Sequence, residues 1–94
     1  MRVELLDAAR ADIGAIDRYI TDDSPGAAKR VVLELIERME GLADAPHRGR
    51  PGRWPNTREL IVPPYVIPYR IRGETVQVLR VVHGAREWPE RSAA

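Results

Sequence analysis

Apolar residues recur at helical spacing through the first half of the chain and at strand spacing through the second. Arg2-Val3-Glu4-Leu5-Leu6 alternates as a short strand over residues 1–6, and Asp7 stands where an N-cap belongs. Ala9, Ile13, Ile16 and Ile20 then follow at intervals of 4, 3 and 4, one face of a helix over 8–21. Ser24-Pro25 is a restart signal, because serine caps well and proline at the first helical position loses no hydrogen bond. The second helix, over 25–43, carries Ala28, Val32, Leu35, Met39 and Leu42, and Val31, Leu33 and Ile36 widen its stripe. Such width predicts contact with both the first helix and a sheet, and the short connection folds the helices into an antiparallel hairpin.

Residues 46–56 interleave Pro46, Gly49, Pro51, Gly52 and Pro55 with Arg48, Arg50 and Arg53, which predicts a basic loop without a regular element. Three strand-like runs follow over 57–83, Thr57 to Val62, Tyr65 to Arg72 and Thr75 to His83, separated by Pro63-Pro64 and Gly73-Glu74. Connections this short demand an antiparallel meander. Pro68 removes a ladder donor from the middle run, which makes that strand an edge or places a bulge beside it. Residues 84–94 form a tail. The expected fold class is α+β: a short N-terminal strand and a helical hairpin packed on one face of an antiparallel sheet whose last three strands form the meander.

Length and composition narrow the possibilities. The 94 residues correspond to one domain spanning 1–94, and 44% hydrophobic content with a formal charge of +1 is enough to fold. No run is long enough to span a membrane, and Arg2 and Glu4 interrupt any signal peptide, so a cytoplasmic protein with no membrane partner is expected. Zero Cys and two His, His47 and His83, argue against a metal site or a thiol nucleophile, and no cofactor is expected. The near-neutral total hides a dipole: residues 1–45 are net −4 and residues 46–94 net +5. Fourteen of the fifteen basic residues are Arg, which fits either a GC-rich genome or selection for guanidinium chemistry.

Candidate chemistry concentrates in the basic half. Period-2 alternation puts Arg58 on a face with Leu60 and Val62, Arg70 and Arg72 on a face with Val66, and Arg80 on one with Val76, Val78 and Val82. These arginines are either a solvated sheet face or a surface that binds phosphates or an acidic partner. His83, at a strand end, is an acid/base candidate or a structural residue. Trp54 and Trp88 either close the core or offer a stacking anchor. No phosphate-cradling glycine loop or Ser/His/Asp arrangement is present.

Several segments occur together in a telling order: Ala11-Asp12-Ile13, Tyr19-Ile20, Ser24-Pro25, Ala27-Ala28, Pro46 and Gly49-Arg50. Thr57-Arg58-Glu59-Leu60, Tyr65-Val66-Ile67, Tyr69-Arg70, Val78-Leu79-Arg80-Val81 and His83-Gly84-Ala85-Arg86 follow. Over residues 3–89 the chain resembles the ParE/RelE toxins of bacterial type II toxin-antitoxin modules. The resemblance implies a growth inhibitor neutralised by a cognate antitoxin, with DNA contacted only indirectly through that antitoxin. RelE-like members are metal-independent endonucleases acting on messenger RNA at the translating ribosome, and ParE-like members poison DNA gyrase. For a ribonuclease the matching residues are Arg58, Arg70, His83 and Arg86; for target or antitoxin binding they are Arg58, Arg70, Arg80, Arg86 and Trp88. RelE-like enzymes commonly use sheet lysines and a late tyrosine, whereas here Lys29 is the only lysine and Glu87-Trp88-Pro89 follows Arg86. The His-Gly-Ala-Arg ending is more similar to the ParE side, so a gyrase-directed toxin is the expectation.

Overall fold

The alternating N-terminal run forms β1 (Arg2–Leu5), which leads into helix α1 (Asp7–Thr21) and, three residues later, helix α2 (Pro25–Glu40). A 3-10 turn (Gly41–Ala43) extends α2 to the predicted end of the hairpin. The remaining strands are β2 (Arg50–Pro51), β3 (Arg58–Val62), β4 (Tyr65–Arg72), β5 (Thr75–Val78) and β6 (Val82–His83). These assignments come from a computed structural model that describes residues 1–85 and Trp88.

Ser24 caps α2 as expected, its side chain accepting the Ala27 N–H at 3.2 Å with Pro25 opening the helix. Asp7 does not cap α1. The cap position is Leu6, whose N–H bonds the Val78 carbonyl, so the strand runs directly into the helix and Asp7 becomes a first-turn acid facing the helix dipole.

The sheet order is β1-β5-β4-β3-β2, with β6 also paired to β4. The β3-β4-β5 meander is antiparallel as predicted, and Gly73, at φ 61°, supplies the left-handed residue that its tight β4–β5 turn requires. Three features of the sheet differ from the sequence reading. First, β1 pairs with β5 in parallel, making the sheet mixed; the hairpin and meander together supply the long connection that parallel pairing needs. Second, the loop over 46–56 contains β2, which pairs with the start of β3.

The third run is not one strand. Between the pairs Val66↔Val82 and Tyr69↔Val78, β4 advances three residues while its partner advances four, so an extra residue bulges out between β5 and β6. Pro68 sits opposite. Its carbonyl accepts the Leu79 N–H at 2.9 Å, so its missing N–H faces the bulge, where the ladder is already interrupted. Of the two options for Pro68 the bulge holds: β4 is a central strand, flanked by β3 and β5.

Strand parity divides the side chains. Leu60, Val62, Ile67, Tyr69, Val76 and Val78 face the hairpin and pack with Ala9, Leu35, Met39 and Leu42 into the main core. Glu59, Val66 and Pro68 lie on the opposite face and are also buried, so both faces of the central strands are covered.

Candidate functional site

The sheet arginines do not converge. Arg58 projects from the hairpin-facing side of β3, where its Nε donates to the Gly49 carbonyl at 2.9 Å and its Nη2 to that of His47 at 3.1 Å. Arg70 lies on the other face, its Nε donating to Gln77 Oε1 at 2.7 Å, while Gln77 Nε2 donates to Glu4 Oε1 at 3.2 Å. Arg80 turns toward α1 and grips the Asp12 carboxylate through Nε at 2.7 Å and Nη2 at 2.9 Å. The predicted common face of Arg80 with Val76 and Val78 is lost because the bulge shifts the parity. Arg86 lies outside the described residues.

Asp12 does more than neutralise Arg80. Its Oδ2 also accepts the Val81 N–H at 2.8 Å, a donor that the bulge has withdrawn from the ladder. Hydrogen bonding to Asp12 holds the Arg80 guanidinium above its ordinary pKa against the opposing effect of burial. The pair therefore pins the middle of α1 to the bulge.

A second cluster folds the basic loop onto the sheet. Tyr69 Oη donates to the Pro46 carbonyl at 2.7 Å and accepts the Gly49 N–H at 2.9 Å. Glycine is required at 49: a Cβ there would lie 2.7 Å from Tyr69 Oη and 2.8 Å from the Glu59 carbonyl. On the opposite face, Glu59 is only 3% exposed and accepts Arg50 through Nε at 3.2 Å and Nη2 at 3.0 Å, together with the Arg53 N–H at 2.9 Å. Burial pushes this carboxyl up, but the Arg53 backbone bond, the Arg50 side-chain bonds and both cations outweigh it and hold its pKa below the usual value.

Trp88 rests under Arg53, whose guanidinium carbon is 3.4 Å from the ring centroid, and meets Trp54 edge to face at 5.7 Å. Trp54 is itself 6% exposed, so it closes the molecule over this face and offers no free stacking surface.

His83 is joined to no arginine by a hydrogen bond or ion pair among the described residues. It is half-buried, edge to face with Tyr65 at 5.8 Å, and its Nδ1 accepts the Ala85 N–H at 3.2 Å. It lines a groove of about 470 Å³ with Tyr65, Asp12, Ile16 and Tyr19, the last 69% exposed. Among the described residues no three His, Asp or Glu side chains gather as a metal site would require, and no helix is long and apolar enough to cross a membrane.

The sequence reading did not single out Asp12, Tyr69 or Glu59 as organising residues. Glu59 carried a usable signal, being a carboxylate inside an otherwise apolar strand and within reach of two loop arginines. The other two depend on contacts across 68 and 23 residues of chain, which no local spacing encodes.

Comparison with known proteins agrees with this architecture. Residues 3–88 match the family described as the ParE toxin of the type II toxin-antitoxin system parDE. A Sinorhizobium fredii protein named as toxin Y4kP is 46% identical over 84% of this chain and 80% of its own length. Toxin RelE2 of Caulobacter vibrioides is 41% identical over 83% of this chain and 89% of its own length. Among solved structures, the chromosomal ParDE system of P. aeruginosa superposes with a TM-score of 0.80 at 30% identity, covering 88% of this chain and 95% of that one. The toxin-antitoxin complex RelBE2 of Mycobacterium tuberculosis gives 0.66, also at 30% identity, covering 87% and 95%. With the helical hairpin, the mixed sheet and nearly the whole described chain matched, the protein belongs to the ParE toxin family of type II toxin-antitoxin systems.

Proposed function

We propose that this toxin arrests growth by poisoning DNA gyrase and that a cognate antitoxin neutralises it. The antitoxin follows from the relatives, since the structures it resembles are a ParDE system and a RelBE complex. The target rests on one observation: the guanidinium groups of Arg58, Arg70 and Arg80 are engaged in holding the fold, while Arg72, at the end of β4, stays exposed. Arg58 is tied to two loop carbonyls, Arg80 to Asp12 and Arg70 to Gln77. A metal-independent ribonuclease must supply proton transfer together with stabilisation of the extra phosphate charge, from groups that converge on one phosphate. Among the described residues His83 is bonded to no arginine, although it lines one groove with the Arg80-bound Asp12, and the one lysine, Lys29, is on α2.

The second reading is a ribosome-dependent messenger-RNA endonuclease. The RelE name of the 41% identical Caulobacter relative favours it.

Expression of the chain alone should stop growth, and co-expression of the neighbouring gene's product should restore it. Induction should bring DNA-damage signalling and filamentation while messenger RNA stays intact. Primer extension that finds toxin-dependent cuts inside translated codons, lost in His83→Ala, would replace gyrase with the ribosome as target.

A further inference from the structure

The sheet ends at β1. It pairs only with β5, and among the described residues nothing pairs with its other edge. The direction of its backbone groups follows from the bonds it makes: the N–H groups of Arg2 and Leu6 go to Glu74 and Val78, so every second residue faces β5 and Val3 and Leu5 face outward. The Leu5 carbonyl is taken by Arg10 Nε, and the N-terminal amine by the Ala43 carbonyl. The N–H and C=O of Val3 and the N–H of Leu5 are left for a neighbouring strand.

The side chains alternate in the other sense. Val3 and Leu5 point to the hairpin side, where they line a groove of about 310 Å³ with Ile36, Met39 and Ala43, Glu40 standing at its border. Ile36 is 36% exposed, and Met1, at the mouth of the strand, is 47% exposed. Arg2 and Glu4 project from the opposite face, 3.9 Å apart, Arg2 in solvent and Glu4 partly so while it also accepts from Gln77 Nε2.

This short sequence is complementary to itself. Laid antiparallel about a two-fold axis through Val3, Arg2 faces Glu4 of a second copy, and Glu4 faces the second copy's Arg2. On the hairpin side Val3 meets Val3, and Leu5 meets Met1. The axis falls on a residue whose N–H and C=O both point outward, as a closely bonded antiparallel pair requires. Parity, charge and hydrogen bonding thus agree on one register. A slip by one residue would send the second copy's Arg2 and Glu4 to the hairpin side and part both charge pairs.

We infer that β1 is a self-association edge, by which two copies of this chain pair β1 to β1 and join their sheets into one, the occupant of the groove being Met1 and Val3 of the second copy. The inference is independent of the toxin's target. A four-residue strand with one adjoining groove makes a small interface, so the dimer belongs to the weak, reversible class and is sought at roughly 1–500 µM.

Sedimentation equilibrium of the purified chain tests it, with circular dichroism confirming that each variant is folded. The unmodified chain should show a monomer–dimer equilibrium. Arg2→Glu places like charges opposite each other at both symmetry-related positions and should raise the dissociation constant about tenfold or more, as should Glu4→Arg. Mixing the two variants should restore association, because an all-acidic β1 edge then meets an all-basic one. A chain that stays monomeric to 500 µM overturns the proposal, as does a dimer indifferent to both substitutions or a mixture that fails to associate. A monomer whose antitoxin affinity falls with Arg2→Glu would give this edge to the antitoxin instead, and would equally overturn it.

Discussion

Tyr69 shows how a single side chain couples the core to the loop. Its ring is fully buried beneath the hairpin while its hydroxyl satisfies one donor and one acceptor of the 46–49 segment. Tyr69→Phe keeps the ring and strands the Gly49 N–H and the Pro46 carbonyl, at a cost of about 1–3 kcal/mol that urea unfolding would measure. Gly49→Ala should cost a similar amount for a different reason, since the new methyl group collides with Tyr69 Oη and the backbone of Glu59.

Glu59 makes the stability of the same loop depend on pH. Its folded pKa lies below the ordinary 4.5, so its contribution is fully present above that value and is lost as pH falls through the lowered one. Glu59→Gln should therefore lower the melting temperature at pH 7, with the gap to the unmodified protein closing below about pH 4. A gap that is constant from pH 7 to pH 3 would mean that the Arg50 and Arg53 bonds do not depend on the carboxylate charge.

Among the elements, the bulge between β5 and β6 decides where the chemistry-bearing residues go. It releases the Val81 N–H, turns Arg80 toward α1 and leaves Asp12 to bind both. Asp12→Ala should loosen α1 from the sheet and cost about 1–3 kcal/mol, a range that allows for the partial exposure of both partners. A double-mutant cycle with Arg80→Ala should return a coupling of about 0.5–3 kcal/mol; independent, additive losses would show that the contact does not pin the helix.

The hairpin was legible in the sequence because a helical stripe such as Ala9, Ile13 and Ile16 reports one local period, and Ser24-Pro25 is a local cap. The bulge was legible only as one of two consequences of Pro68, because choosing between them requires knowing that β4 has neighbours on both sides. The parallel pairing of β1 was not legible, being a contact between residues more than seventy positions apart. The surroundings of the candidate site residues were not legible for a related reason. Alternation put Arg58 with Leu60 and Arg70 with Val66 without relating the two faces, and whether a guanidinium reaches solvent or a carbonyl depends on where the loop returns, which is set by Tyr69, Gly49 and Glu59 together.

At the scale of the whole molecule, the acidic and basic halves are joined among the described residues by one ion pair, Asp12 with Arg80, and by the Glu4–Gln77–Arg70 row. The acidic half supplies Asp12 to Arg80 and Glu4 to the Gln77–Arg70 row, and the loop arginines Arg50 and Arg53 close on Glu59. Arg58, Arg70 and Arg80 thus act as internal fasteners, the observation on which the proposed gyrase target rests. The most direct test adds the purified protein separately to a gyrase supercoiling and cleavage reaction and to a translating ribosome reaction. Cleaved DNA should accumulate in the first, with messenger RNA unbroken in the second. Intact supercoiling activity, together with codon-specific cuts abolished by His83→Ala or Arg86→Ala, would contradict the account.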